Sequence, residues 1–185
     1  MPALSEDSRR EAEKLIARYP HSRSALLPLL YLVQAEQGHV TREGMQEVGE
    51  LLGLTTAEVE AVATYYTMFR KGPTGKWLIS VCTNVSCALA GAKKVYERAV
   101  EEAGEGASTA TPDGGFTVEE VECLAACDAA PVIQVNYCNY DSVSQDRMAE
   151  IVAELREDRV PEPARGPKPE PHDRTAHILS GAERG

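Results

Sequence analysis

The sequence has few positive charges and no long apolar run. Its 185 residues include 19 Lys and Arg against 29 Asp and Glu, which gives a formal net charge of −10. A chain this acidic is poorly suited to bind nucleic acid or an anionic membrane surface, because both are negatively charged themselves. Its longest nearly apolar run covers residues 25–33, far short of the ~20 residues that cross a bilayer. We therefore expect a soluble protein with no nucleic-acid partner and no direct membrane insertion.

Several cysteine motifs and one glycine motif are absent as well. No C-x-x-C pair occurs, which excludes a thioredoxin-type dithiol and a c-type haem attachment site. No G-x-G-x-x-G lies between a predicted strand and a helix, so a nucleotide-binding fingerprint is lacking. The polar start Met1-Pro-Ala-Leu-Ser-Glu-Asp7 does not resemble a secretory signal peptide, and five cysteines cannot all pair with one another. We therefore expect reduced thiols rather than a disulfide framework.

Two close pairs of cysteines dominate what the sequence does contain. Cys82 and Cys87 are separated by four residues and Cys123 and Cys127 by three, with 35 residues between the pairs. Two such loops can converge on one metal site, and an all-thiolate site suits zinc or an iron–sulfur cluster. Zinc usually serves very small scaffolds that the metal itself folds, whereas these pairs lie in a segment with its own apolar periodicity. The pattern therefore favours a [2Fe–2S] cluster while leaving zinc open, and Cys138 is expected to be a free thiol.

The N-terminal part of the chain has the apolar spacing of four short helices. A helix-capping residue precedes three of them, and a glycine follows two. We predict a small helical bundle over residues 1–70, in which Tyr65, Tyr66, Met68 and Phe69 belong to the helix core and to the packing between the bundle and the domain that follows. The predicted helices cover residues 5–18, residues 24–37, the segment from Thr41 to Gly53, and the segment opened by the capping box Thr55-x-x-Glu58.

Strands and helices alternate after the turn-forming segment 71–76. A strand over 77–81 leads into Cys82, and a second strand over 116–121 leads into Cys123. All four thiols can therefore gather at the carboxyl ends of two neighbouring strands, and the order of elements predicts an α/β domain over residues 71–159. Cys87 is expected to open a helix to about residue 103, whose dipole would lower the pKa of its thiol. The remaining predicted elements are a strand at 131–136, a turn at 137–139, a strand at 140–143 and a helix after Ser144.

Residues 160–185 are predicted to be a Pro-rich extended tail. Five prolines occur among the eleven residues 161–171, which excludes a helix there and favours an extended linker. The segment after the linker has a small apolar patch at 176–179, and His172 and His177 are expected to be solvated. We expect the tail to be flexible in the isolated protein.

Six motifs follow one another in order along the chain: Gly38-His-Val40, Val62-Ala-Thr-Tyr-Tyr-Thr-Met-Phe69, Pro73-Thr-Gly-Lys76, Val81-Cys-Thr-Asn-Val-Ser-Cys87, Thr111-Pro-Asp-Gly114 and Glu122-Cys-Leu-Ala-Ala-Cys-Asp-Ala-Ala-Pro-Val132. Together they resemble one known family, the thioredoxin-like [2Fe–2S] subunits of bacterial NADH:quinone oxidoreductase, which belong to the NADH dehydrogenase module of respiratory complex I. The resemblance runs from about residue 10 to residue 156. It implies an α/β fold in which an N-terminal helical bundle precedes a thioredoxin-like [2Fe–2S] ferredoxin domain. It also implies one [2Fe–2S] cluster, with the ligands Cys82, Cys87, Cys123 and Cys127.

The resemblance implies a function and a partner. The chain would be an electron-transfer subunit of NADH:quinone oxidoreductase, with its cluster near the FMN of a flavin- and NADH-binding partner and no substrate-binding active site of its own. The location would be cytoplasmic, peripheral to the membrane through the complex. From the apolar patch at 176–179 on its semi-rigid spacer, we expect the tail to dock along that partner. Two alternatives stay open. One is the equivalent subunit of an NAD-linked hydrogenase or formate dehydrogenase diaphorase module, and the other is a zinc-stabilised binding module without a redox role.

The ligand loops are expected to supply hydrogen-bond donors and contain one unusual residue. Backbone N–H groups of residues 83–87 and 124–128 are the expected donors to the negatively charged cluster. Many members of the family have Gly where this chain has Ala125, between the last two ligands. Alanine tolerates a positive φ angle poorly, so we expect the local loop conformation and the cluster potential to differ more than cluster binding does.

Overall fold

The computed structural model describes residues 3–182, which divide into two compact units. One unit contains the chain up to Pro73 together with the residues from Asp173 onward, and the other contains Thr74–His172. The part of the chain described has eight α-helices, none of them long and apolar enough to cross a membrane. The helices are α1 (Glu6–Ala17), α2 (Leu26–Gln37), α3 (Arg42–Leu52), α4 (Thr56–Tyr65), α5 (Val85–Leu89), α6 (Ala92–Ala103), α7 (Gln145–Arg156) and α8 (His172–Ser180). The strands are β1 (Trp77–Cys82), β2 (Phe116–Val121), β3 (Ile133–Val135) and β4 (Cys138–Tyr140).

The first four helices lie close to their predicted positions, because the residues that mark their ends act within one helical turn. Ser5 and Thr41 each accept a hydrogen bond from a backbone N–H in the first turn of the helix that follows. Thr55 and Glu58 form the reciprocal bonds of a capping box at the start of α4. Gly53 ends α3 in the left-handed conformation, with φ 69°.

Apolar side chains of these helices form the core of the first unit. Leu29, Leu30 and Val33 on α2 are fully buried, and Phe69 is buried as predicted. Tyr65 and Tyr66, in contrast, are 78% and 38% exposed, so the expectation that they pack in the core is wrong. Both lie at the carboxyl end of α4, where the helical periodicity that places apolar residues on one face stops.

Residues 172–180 form α8, a helix that the sequence analysis did not predict. Ala176 is buried in it, and Arg18 of α1 donates a hydrogen bond to the Gly181 carbonyl at 2.8 Å. A nine-residue helix is marginal by itself and gains most of its stability from packing, which no local pattern reveals. The expectation of an extended tail is therefore wrong for this segment. The predicted domain boundaries, 1–70, 71–159 and 160–185, stay a prediction.

The second unit is built on a mixed sheet with the strand order β2-β1-β3-β4. β1 and β2 are parallel, with Trp77 beside Phe116 and Cys82 beside Val121. β3 is antiparallel to β1 and forms a hairpin with β4. All six residues of β1 are buried, which explains its almost continuous apolar sequence. Because α6 packs against both β1 and β2 and also against α7, the predicted α/β fold class is confirmed.

The helix expected to open at Cys87 is instead divided in two. Cys87 is the third residue of the short helix α5, and α6 begins five residues later, at Ala92. Gly91 lies between them with φ 94°, a left-handed conformation that breaks the helical hydrogen bonds. The apolar spacing of the two helices continues across the break, so periodicity alone could not show it.

The hairpin between β3 and β4 turns earlier than predicted. Its two-residue loop is Asn136 and Tyr137, whose φ angles of 43° and 70° suit a tight hairpin. The Asn136 side chain accepts a hydrogen bond from Leu78 N–H at 2.8 Å, which links the turn to β1. Cys138 is therefore the first residue of β4 rather than a turn residue. This tertiary bond explains why the turn lies at 136–137 instead of 137–139.

The Pro-rich residues 161–171, all of them described, form neither helix nor strand. Ala164 N–H donates to the Asn139 carbonyl at 2.8 Å, and the Tyr140 hydroxyl donates to the Pro161 carbonyl at 2.8 Å. The segment thus follows the outer edge of β4, where proline residues suit an edge that should not pair with another strand.

The end of this segment is held as well. His172 N–H donates to the Lys76 carbonyl at 2.9 Å, and the His172 residue is only 2% exposed. The expectation that His172 is solvated is therefore wrong, because this backbone hydrogen bond holds the residue within the second unit.

Candidate metal centre

Both cysteine segments leave the sheet at the same edge. Cys82 is the last residue of β1 and lies beside Val121, the last residue of the parallel strand β2. Thr83 N–H donates to the Val121 carbonyl at 3.0 Å, which joins the two loops just beyond the strands. Cys123 follows two residues after Val121. The strands that precede the two cysteine pairs are thus neighbours, as predicted.

The four thiols differ in exposure but lie close to one another. Cys82 and Cys87 are buried, whereas Cys123 and Cys127 are exposed. Cys87 and Cys123 both hydrogen-bond to the sulfur of Cys82, and Cys127 is near enough to Cys87 for its charge to act on that thiol. The structure therefore brings three of the predicted ligands into contact and places Cys127 beside them.

Two backbone N–H groups from different loops are directed at the Cys82 sulfur. Burial opposes ionisation of this thiol, but the N–H groups of Asn84 and Leu124 and hydrogen bonds from Cys87 and Cys123 together lower the pKa of Cys82. The thiolate is the form that binds a metal. The surroundings of Cys82 therefore favour ligation.

The Cys87 thiol has the opposite shift. Burial raises the pKa of Cys87, and the neighbouring Cys82 and Cys127 raise it further, although a hydrogen bond from Val132 N–H acts to lower it. The predicted lowering by a helix dipole is wrong. Cys87 is the third residue of a five-residue helix, which is too short for a large dipole, so burial dominates.

The loop between the last two cysteines has a strained conformation. Ala125 takes φ 55°, in the left-handed region that an alanine rarely occupies. In this conformation its backbone N–H donates to the sulfur of Cys123 at 3.3 Å. The alanine is thus accommodated with its hydrogen bond to sulfur in place.

One hydrogen-bond donor to sulfur lies outside the residue ranges that were predicted to supply such donors. Asn84, Leu124 and Ala125 fall within the predicted ranges, but Val132, which donates to Cys87, does not. Val132 immediately precedes β3, and its carbonyl accepts a hydrogen bond from Cys82 N–H at 3.1 Å. No local signal marks this residue, because it reaches the cysteines only through the pairing of β3 with β1.

The donor set fits a four-thiolate cluster. The cysteines are free thiols, and four of them lie in two neighbouring loops with backbone N–H groups directed at sulfur. Within residues 3–182, no three His, Cys, Asp or Glu side chains are grouped so as to hold one metal ion. A [2Fe–2S] centre differs from such a site because each of its two irons takes two cysteine thiolates. The ligand type and number therefore suit a [2Fe–2S] cluster.

The fifth cysteine lies toward the other end of the sheet. Cys138 pairs with Val135, which pairs with Ile79, three residues before Cys82. With about 3.3 Å per residue along a strand and about 4.8 Å between strands, the Cα atoms of Cys82 and Cys138 are about 14 Å apart. Burial raises the pKa of the Cys138 thiol. That Cys138 is not a ligand stays a prediction, and this separation favours it.

The fold and the site together define the class of protein. An α/β layer with four thiols in two loops that follow neighbouring parallel strands suits an iron–sulfur protein. The model of the thioredoxin-like [2Fe–2S] ferredoxin family matches residues 12–156. The chain belongs to this family. The predicted family and fold are therefore confirmed, and membership implies one [2Fe–2S] cluster.

The chain is similar to subunits of respiratory enzymes over most of its length. An NADH-quinone oxidoreductase subunit of Mycobacterium tuberculosis is 44% identical over 171 residues, which cover 92% of this chain and 68% of the relative. The NADH-quinone oxidoreductase subunit 2 of Thermus thermophilus is 41% identical over 154 residues, 82% of this chain and 85% of the relative. Both relatives are subunits of a multisubunit oxidoreductase, in agreement with the resemblance predicted from the motifs.

A solved structure supports the fold. The NAD+-reducing [NiFe]-hydrogenase in its H2-reduced state superposes with a TM-score of 0.59 over 71% of this chain, at 18% sequence identity. The matched part covers 22% of the hydrogenase chain, so this chain spans about a fifth of that protein. At this identity the likeness concerns the fold alone.

Proposed function

We propose that this chain is the electron-transfer subunit of an NADH:quinone oxidoreductase. Its [2Fe–2S] cluster is held by Cys82, Cys87, Cys123 and Cys127. The observation that carries the proposal is the convergence of two cysteine loops from neighbouring parallel strands, with backbone N–H groups directed at the sulfurs. The names of the relatives at 44% and 41% identity support the choice of complex.

The residues of this chain hold the cluster and determine its electrostatic environment. When bound, a [2Fe–2S] cluster takes up and releases one electron at a time. The thiols give up their protons on binding, so the four ligands bring negative charge to the site. Backbone N–H groups of Asn84, Leu124, Ala125 and Val132 oppose that charge by hydrogen bonding to sulfur. Burial of Cys82 and Cys87 excludes water from one side of the site, whereas the other two ligands face the surface.

The partner in this proposal is a flavin- and NADH-binding subunit of the same complex. The sequence contains no nucleotide-binding fingerprint, so a different chain has to bind NADH and exchange electrons with the cluster. The Pro-rich tail is proposed to approach that partner. The complex in turn places the chain in the cytoplasm, peripheral to the membrane.

Cysteine variants of the purified protein test the ligand assignment. Replacing any one of the four ligands by Ala should abolish or severely weaken cluster binding, because each iron needs two thiolates. Iron and sulfide content, the visible spectrum and the reduced-state EPR signal measure the loss. Cys138→Ser is the matched control and should keep about two irons per chain and an unchanged EPR line shape. Full iron content in any one of the four ligand variants would reject the assignment.

Two other functions make different predictions. The second candidate is the corresponding subunit of a hydrogenase or formate dehydrogenase diaphorase module, and the shared fold of the NAD+-reducing hydrogenase is compatible with it. Neighbouring genes for hydrogenase or formate dehydrogenase subunits would support it over the first. The other function is a zinc-stabilised binding module without a redox role. A colourless purified protein with one zinc ion per chain would support it and overturn both electron-transfer proposals.

A further inference from the structure

The short helix between the first two cysteines has an apolar outer face. Leu89 is 87% exposed and Val85 is 70% exposed, whereas Cys87 on the same helix is 2% exposed. At about 100° per residue, both apolar residues lie about 160° around the helix axis from Cys87 and only about 40° from each other. Leu89 and Val85 therefore form one patch on the side of α5 that faces away from the thiol. Nothing in the folding of the second unit requires apolar residues there.

The segments that carry the ligands are acidic in sequence. Residues 77–92 and 116–146, which carry all four ligands, contain six Asp and Glu and no Lys or Arg. Glu120 and Glu122, just before Cys123, are both exposed. Asp128, just after Cys127, is exposed as well, but the charge of Arg165 acts on it. The nearest lysines in sequence, at 93 and 94, belong to the first turn of α6, beyond the helix break at Gly91.

We propose that the outer face of α5, formed by Val85 and Leu89, is the contact through which the electron-exchanging partner docks. The partner presents an apolar recess for these two side chains and basic groups opposite Glu120 and Glu122. α5 separates the patch from the Cys87 sulfur by no more than about one helix diameter, roughly 10 Å. A protein seated on the patch is therefore brought close to the cluster. This inference rests on the proposed function, because it needs a partner that exchanges electrons with this chain.

Variants of the cluster-loaded chain, mixed with the flavin- and NADH-binding subunit from the same source, test the inference. Leu89→Gln and Val85→Gln keep the charge and remove the apolar contact. Each should weaken the affinity by about tenfold to a hundredfold, as expected for an aliphatic side chain that is buried on binding. Tyr65→Gln is the matched control. Tyr65 is 78% exposed, between the values for Val85 and Leu89, but it lies in the first unit, which contains no cysteine. The control should bind like the wild type.

The carboxylates are tested separately. The double variant Glu120→Gln/Glu122→Gln should slow association at low salt and reduce the dependence of the association rate on salt, because oppositely charged surfaces steer encounter. An unchanged salt dependence would overturn the charge complementarity in the proposal.

The outcomes distinguish this inference from the proposed function. Leu89→Gln with wild-type affinity overturns the docking face, while its visible spectrum and EPR signal report separately on the cluster. Weak binding by Leu89→Gln with an unchanged spectrum and an unaffected control supports the docking face. A wild-type chain that does not bind the flavin-containing subunit overturns the proposed function and the docking face together.

Discussion

The buried amide of Gln34 should contribute strongly to the stability of the helical unit. Gln34 lies in α2 and is 0% exposed. Its Nε2 donates to the Met68 carbonyl at 3.1 Å, and its Oε1 accepts a hydrogen bond from Arg70 N–H at 2.6 Å. These two bonds attach the segment that follows α4 to the middle of the bundle. The replacement Gln34→Met keeps the length of the side chain and removes both bonds.

The magnitude follows from the cost of breaking buried hydrogen bonds. Removing one partner of such a bond costs about 1–3 kcal/mol, and this replacement removes the partner of two. The methionine side chain is easier to bury than an amide, which offsets part of the loss. We therefore expect the free energy of unfolding to fall by about 2–4 kcal/mol, a large fraction of the stability of a typical domain.

Urea denaturation of the cluster-loaded protein measures the effect. Far-UV circular dichroism follows the helices and visible absorbance follows the cluster, so loss of the helical unit is seen apart from loss of the site. Gln145→Met is the matched control, because Gln145 is exposed at the start of α7 and should tolerate the same change. A midpoint for Gln34→Met equal to that of the wild type would refute the reasoning, since it would show no net contribution from the two bonds.

Three further predictions concern the site and the tail. Ala125→Gly should relieve the strain of the left-handed backbone at this position, which stabilises the folded protein by about 1–2 kcal/mol. The same change makes the unfolded chain more flexible, which lowers the free energy of unfolding by about 0.4–1 kcal/mol. The variant should therefore keep its cluster and unfold at an equal or higher urea concentration, and a clear destabilisation would contradict the strain argument. Truncation after Val160 removes α8 and the bonds along β4. It should lower the unfolding temperature and leave the visible spectrum intact, whereas an unchanged temperature would mean that the tail adds no stability. The raised pKa of Cys138 should keep its alkylation by iodoacetamide slower than that of a free cysteine at pH 8, with the rate increasing above that pH as the thiolate forms. Alkylation of Cys138 as fast as that of free cysteine would contradict the raised pKa.

Much of the candidate site could be predicted because its signals are local or compositional. The spacing of the two cysteine pairs can be read from the order of residues alone, and β1, which precedes the first pair, has an almost continuous apolar sequence. The capping residues Ser5, Thr41 and Thr55 act within one helical turn, so their effect depends little on the rest of the chain.

Other features of the site depend on residues that are distant in sequence. Val132 reaches Cys87 because β3 pairs with β1, and Asn136 turns the hairpin where it can bond to Leu78. The pKa of Cys87 is raised because neighbouring loops bury it, against the prediction made from its own helix. Burial of this kind is set by the whole unit and has no local sequence pattern.

The sequence by itself therefore determined the family, the capped starts of α1, α3 and α4, and the two cysteine pairs from which the ligands are proposed. Tertiary structure alone decided which side of α5 faces outward and which distant N–H groups bond to sulfur. It also decided that residues 172–180 become a helix. The physical reason is the range of the interactions. Capping and periodicity act between residues a few positions apart, whereas strand pairing and burial add their free energy only after distant segments have come together.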